Sequence, residues 1–116
     1  MSEFVLYLSE VFERFGSIQS RRMFGGHGIY HDGLMFALVA SDELYLKTDG
    51  ASTHFFEEAG SQQFTYTKND KTMAMCYYVA PEEIFDDSEL AKLWADRAYA
   101  AALRAKQPKS KSKSKR

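Results

Sequence analysis

"RRMFGGHGIYHDGLMFALV", residues 21–39, decides the fold, because its glycines open either a phosphate loop or a sheet. A phosphate loop would run from glycines into the first turn of a helix, with a Lys and a Ser or Thr close behind. Here the residues after Met23 run to His31 in the manner of a strand. Asp32-Gly33, a pair that favours two-residue hairpins, then leads into "LMFALVA" at 34–40. The glycines are therefore read as supplying a positive φ, a bulge, or a bend that lets the first strand cross its neighbour closely. Arg21 and Arg22 precede this sheet and read as a solvated edge.

Outward from this block, Ser41 and Asp42 turn the chain into "ELYLKTD", which completes a three-strand meander. Before it, Ser2 caps a helix whose Phe4, Leu8, Val11, Phe12 and Phe15 fall on one face, with Gly16 as its stop. After Asp49-Gly50, "ASTHFFEEAG" predicts a short helix with Phe55, Phe56 and Ala59 inward and Gly60 closing it. "QFTYTK" and "TMAMCYYV", joined around Asn69-Asp70, form a second hairpin. In its last strand Met73, Met75, Tyr77 and Val79 share one side. Pro81 ends that strand and starts a turn through Ile84 and Phe85. Asp86 with Glu89 then forms a capping box for a helix to about Ala105, lined by Leu90, Trp94, Ala98, Ala101 and Ala105. The order is α-βββ-α-ββ-α, an α+β class with five strands.

One domain fits 116 residues, and 45% apolar residues with 15% aromatics are enough to fill its core. No apolar stretch reaches the roughly 18 to 20 residues of a membrane span, and the N-terminus lacks a secretory pattern. The chain reads as cytoplasmic. Lys106, Lys109, Lys111, Lys113, Lys115 and Arg116 place six positives in residues 106–116, leaving nine positives against sixteen negatives, a net of −7, in residues 1–105. Alternating Lys and Ser cannot bury enough apolar surface to fold, so 106–116 reads as a disordered tail that either contacts phosphates without reading sequence or only keeps the domain soluble.

The chemistry-bearing residues do not assemble a reaction centre. His27 and His31 lie four apart on a strand, about 13 Å, too far to share one ion. Cys76 is the single cysteine and sits in an apolar alternating run, which reads as a buried, inert thiol. Glu57-Glu58, Glu82-Glu83 and Asp86-Asp87 read as solvated helix-end carboxylates. No metal or cofactor is expected. Arg21, Arg22 and Lys47 with Tyr45 offer a partly basic patch beside an aromatic ring, the kind of arrangement that grips single strands.

The pattern Arg22-Met23-Phe24-Gly25-Gly26-x-Gly28-x-Tyr30-x-x-Gly33-x-x-Phe36-Ala37-Leu38, then "DELYLKTD" and "MAMCYYVAPEEIFDD", resembles the TfoX N-terminal domain family over about residues 3–104. That resemblance implies a two-layer α+β domain with an antiparallel sheet, similar to type III secretion chaperones, and no enzymatic activity or cofactor. The TfoX/Sxy group is implied to regulate natural competence as coactivators with the cyclic-AMP receptor protein, in two-domain chains. Here residues 1–105 read as a stand-alone domain of that type, followed by the basic tail.

The expectation is a non-enzymatic regulatory or adaptor domain that binds a protein partner, such as a transcription factor of the cyclic-AMP receptor protein kind. Arg21, Arg22, Met23, Phe24, Gly25, Gly26, Gly28, Tyr30 and Lys47 are its signature and candidate contact residues. The alternative is direct binding of nucleic acid through the tail; a third reading places an enzyme around Cys76 or a histidine. An unpaired sheet edge also offers a route to a homodimer.

Overall fold

The computed structural model describes residues 3–23, 26–68 and 70–106, without the side chains of 66–68 and 72–75. Ser2, Phe24, Gly25, Asn69 and residues 107–116 lie outside the described residues, as do the side chains of Met73 and Met75. Helix α1 (Glu3–Val11) is followed by four strands, β1 (Gln19–Met23), β2 (Gly26–His31), β3 (Leu34–Ala40) and β4 (Glu43–Lys47). Then come α2 (Thr53–Glu58), β5 (Gln63–Lys68), β6 (Lys71–Val79), a 3-10 turn (Glu82–Asp86) and α3 (Ser88–Lys106). All strand pairings are antiparallel, in a six-stranded sheet of order β1-β2-β3-β4-β6-β5.

The sheet thus has one strand more than the five expected. The additional strand is β1, so Arg21 and Arg22 lie within the sheet's edge strand rather than ahead of the sheet. β1 is "QSRRM", with no apolar alternation to announce it, and it gains its order by pairing with β2 from Gln19 opposite Tyr30 to Met23 opposite Gly26.

Two tight turns follow the hairpin chemistry. Asp32 and Gly33 take φ of 50° and 83°, and Ser41 and Asp42 take 52° and 59°, so both connections place two successive residues in the left-handed region. Between them, Ile29 pairs with Ala37 while Tyr30 pairs with Met35, which leaves Phe36 as an extra residue in β3. The bulge turns both Phe36 and Ala37 toward the helices, where each is fully buried. Gly26 owes its identity to a close approach: a β-carbon there would overlap the Val39 carbonyl oxygen and lie 3.4 Å from the Ala40 Cα. The bend reading of the glycines therefore holds at this position.

All helices pack on one side of the sheet. Val5, Leu8, Val11 and Phe12 of the α1 segment meet Ile29, Phe36, Val39, Leu44 and Leu46 in a single core with Phe56, Ile84, Trp94 and the alanines of α3. Phe12 and Phe15 sit against Phe36, with ring centroids 5.7 and 5.0 Å away, and Phe56 lies between Trp94 (4.8 Å) and Tyr78 (5.6 Å). Burying such rings contributes on the order of 2 to 3 kcal/mol each. The buried stripe of α3 is Ala91, Trp94, Ala95, Ala98, Ala101 and Ala102. Small residues there let the helix lie close to the sheet.

Four local readings change. Ala59 is exposed just past the end of α2, and Ala105 is exposed in the last turn of α3. Asp87, not Asp86, caps α3: its Oδ1 accepts from the Glu89 and Leu90 backbone N–H groups, because Asp86 is still inside the 3-10 turn. Cys76 is exposed rather than buried. The β4–β6 register runs over Tyr77–Val79, and Cys76 lies just beyond it, its carbonyl accepting from the Thr48 N–H.

Candidate interaction surfaces

Because the helices cover one face, the other carries the side chains that alternate away from them. Residues opposed across antiparallel strands share a face, and the register assembles two rows on the open side. Arg21, Gly28, Leu38, Tyr45 and Val79 follow one another from β1 to β6. Beside them run Gln19, Tyr30 and Met35, then Lys47 and Tyr77.

The contacts agree with this register. A β-carbon at Gly28 would lie 2.9 Å from the Met23 sulfur, 3.0 Å from the Met35 sulfur and 3.1 Å from the Tyr30 ring, so these three side chains converge over the glycine. Arg21 stands over the Tyr30 ring at 5.3 Å, and Lys47 over the Tyr77 ring at 5.2 Å. Phe64 of β5 meets Tyr45 edge-on at 4.6 Å. Both cations therefore rest on aromatic rings, whose negative faces attract them. Tyr77 is buried within this cluster; desolvation, and then the neighbouring Tyr30 and Cys76, push its pKa up to about 12. Burial and then the charge of Glu43 also raise Tyr45.

Of the nine expected signature residues, the structure brings Arg21, Met23, Gly28, Tyr30 and Lys47 to this open face. Arg22 lies on the opposite side, paired with His27, and remains exposed. Gly26 belongs to the close strand crossing. Sequence reasoning overlooked Met35, Leu38 and Phe64. Leu38 is reached only by counting through the Phe36 bulge, which reverses the alternation of β3.

A second surface lies on the helical side. Tyr7, Glu10, Val11, Ile84, Phe85, Asp86, Asp87 and Ser88 line an open cleft of about 290 Å³ between α1 and the 3-10 turn. Tyr7 stacks on Phe85 at 6.2 Å and donates its hydroxyl to the Phe85 carbonyl, while Leu6 beside it is 58% exposed. Its lining combines the apolar Val11, Ile84 and Phe85 with the carboxylates of Glu10, Asp86 and Asp87.

Among the described residues no group of three His, Cys, Asp or Glu could hold a metal ion. His31 is occupied locally: its Nδ1 lies 2.7 Å from the Ser17 carbonyl oxygen, and its ring packs on Phe15 and Tyr99. Lys106 is the exposed last residue of α3, one position beyond the expected helix end. Lys109, Lys111, Lys113, Lys115 and Arg116 lie outside the described residues. No described helix is long and apolar enough to cross a membrane.

A two-layer domain with helices on one face of an antiparallel sheet, and with a close strand crossing at Gly26, is the architecture in hand. The chain belongs to the TfoX N-terminal domain family, whose pattern matches residues 10–102. It is similar to DNA transformation protein TfoX1 of Aliivibrio fischeri, 34% identical over 74 residues, which is 64% of this chain and 35% of that protein. It is also similar to Protein Sxy of Escherichia coli, 29% identical over 70 residues, 60% of this chain and 34% of that one. The matched stretch thus spans about a third of the length of each of these relatives.

Proposed function

We propose that this chain is a regulatory adaptor domain serving DNA uptake competence, which acts by docking a protein partner rather than by turning over a substrate. The partner class is a transcription factor of the kind represented by the cyclic-AMP receptor protein. Kinship with a DNA transformation protein supports the setting. The observation that carries the docking is the cleft on the helical side, where the exposed Tyr7 and the apolar Val11, Ile84 and Phe85 stand beside the carboxylates of Glu10, Asp86 and Asp87. Apolar side chains and carboxylates together suit a basic, partly apolar surface, because matched charge steers the encounter while apolar contact holds it.

Calorimetric titration of the full chain with the cyclic-AMP receptor protein tests this. Binding is expected, and the paired reversals Glu10→Lys and Asp86→Lys should weaken it at least about tenfold. Both side chains are exposed and outside the α3 cap, so the fold should survive, as circular dichroism would check. No binding by the unaltered chain refutes the partner; unchanged affinity in the double variant refutes the cleft.

A further inference from the structure

We infer that the helix-free face of the sheet is a platform for single-stranded nucleic acid, with Tyr45 and Tyr30 as stacking rings and Lys47 and Arg21 as phosphate contacts. This goes beyond the protein docking above and does not depend on it, since that reading uses the other side of the domain.

The first argument is the distribution of charge. In residues 1–105 the six strands hold Arg21, Arg22, Lys47, Lys68 and Lys71 against one carboxylate, Glu43, a net of +4. The helices, turns and loops hold the other four cations against fifteen carboxylates, a net of −11. Two of those four are committed to carboxylates, Lys92 to Asp96 and Arg104 to Asp49. A chain with an acidic body thus concentrates its surplus positive charge on the sheet. Of the strand cations, Arg21 and Lys47 stand on the helix-free face, whereas the carboxylates of the helices lie across the sheet from them, so a polyanion is drawn to the helix-free face.

The second argument is what the cations stand beside. On the open face each is next to a ring: Arg21 on Tyr30, and Lys47 on Tyr77 with Tyr45 two residues before it on the same strand. Tyr30 and Tyr45 lie two strands and one row apart, about 12 Å from strand spacing. Both remain half-buried rather than covered. Flat rings interleaved with cations are what an unpaired strand needs, since bases stack on rings and phosphates meet the charges. A duplex keeps its bases stacked on each other and gains only the charge term. A purely apolar protein partner would use Met23, Met35, Leu38 and Val79 but leave the cations without a counterpart.

The test measures fluorescence anisotropy of labelled 12-nucleotide mixed-sequence single-stranded DNA, its RNA equivalent and the matching duplex, titrated with the full chain between 50 and 200 mM salt, roughly the range over which phosphate contacts reveal themselves. Single strands are expected to bind more tightly than duplex. The DNA and RNA arms decide which sugar is preferred. Arg21→Glu with Lys47→Glu should weaken binding at least about tenfold and flatten the salt slope by roughly 1.4, two contacts at about 0.7 each. Tyr45→Ala should weaken it at least about fivefold, and Tyr45→Phe, which keeps the ring, should not. Glu43→Gln should tighten it, and Lys92→Ala on the helical side should change nothing. A full-length variant with Lys109, Lys111, Lys113 and Lys115 replaced by Ser separates the tail's contribution. Variants are compared only where urea midpoints match the parent. Preference for duplex, absence of binding at 50 mM salt, or loss confined to the tail variant would each overturn the inference. The second of these would return the face to protein docking.

Discussion

Replacing Gly26 by alanine tests the central structural claim, that a glycine stands at this position because two strands cross too closely for a side chain. The added β-carbon would overlap the Val39 carbonyl oxygen and press within 3.2 Å of its carbon, so β2 and β3 must part locally. The atoms in the way are backbone, which cannot swing aside as a flexible side chain would. Parting the strands weakens one or two ladder hydrogen bonds, at about 1 kcal/mol each, and adds packing strain of about 1 to 3 kcal/mol. Alanine gives back about 0.4 to 1 kcal/mol by restricting the unfolded chain. The balance is a loss of about 1 to 4 kcal/mol. Gly50→Ala is the control, because nothing lies within 4 Å of its β-carbon position; it should be neutral or slightly stabilising. Urea unfolding followed by tryptophan fluorescence reads both, since Trp94 is buried in the core. A Gly26→Ala protein as stable as its parent, with the same m-value, would sink the close-crossing account and leave this glycine unexplained.

Arg104 grips Asp49 through two hydrogen bonds, of 2.5 and 2.9 Å, and that grip is the largest cause holding the Asp49 carboxyl below the usual carboxylate range. Both groups are partly exposed, so Arg104→Ala should cost at most about 1 kcal/mol. Because the folded-state pKa is the lower one, the difference from the parent should be full above about pH 4 and fade as pH falls through the folded value, read by urea midpoints across pH 2 to 6. Tyr77 gives the opposite slope. Its phenol stays protonated to about pH 12 in the fold while an unfolded tyrosine ionises near 10, so stability should decline from pH 10 to 12. Ultraviolet titration should show a last-ionising tyrosine, later than the also-raised Tyr45, that Tyr77→Phe removes; a titration without it refutes the buried ring cluster. Cys76, being exposed, should react with a thiol reagent in the folded state about as fast as in urea. Strong protection would mean that β6 sits deeper than described.

The fold was legible wherever local chemistry and tertiary packing agree. Asp32-Gly33 and Ser41-Asp42 declared hairpins, and the three-and-four spacing of Leu8, Val11 and Phe12 declared a buried face. What escaped depended on partners. β1 has no apolar rhythm, because an edge strand that presents only alternate residues to the open face can be almost wholly polar; its order comes from β2. The Phe36 bulge is invisible for a related reason. Counting by twos through "LMFALVA" assigns Phe36 and Leu38 to one face, whereas the extra residue sends Leu38 to the other. Cys76 was misjudged because alternation says which way a side chain points, while burial depends on what packs there.

These misses bear on the candidate site more than on the fold. If Arg21 and Arg22 precede a sheet, they are two solvated charges with no common direction. Inside β1 the pleat must separate them, placing Arg21 above Tyr30 on the open face and Arg22 beside His27 on the other. The polar composition that conceals the strand is therefore the same property that delivers a cation to the aromatic face. Lys47 arrives there by the same rule from the other side, alternating with Leu46, which is fully buried in the core. A net charge of −1 for the whole chain conveys none of this, since it averages net-positive strands, net-negative helices, turns and loops, and six terminal cations. The single-strand binding proposed for the helix-free face follows from where the strands place those charges, and the anisotropy series above tests it.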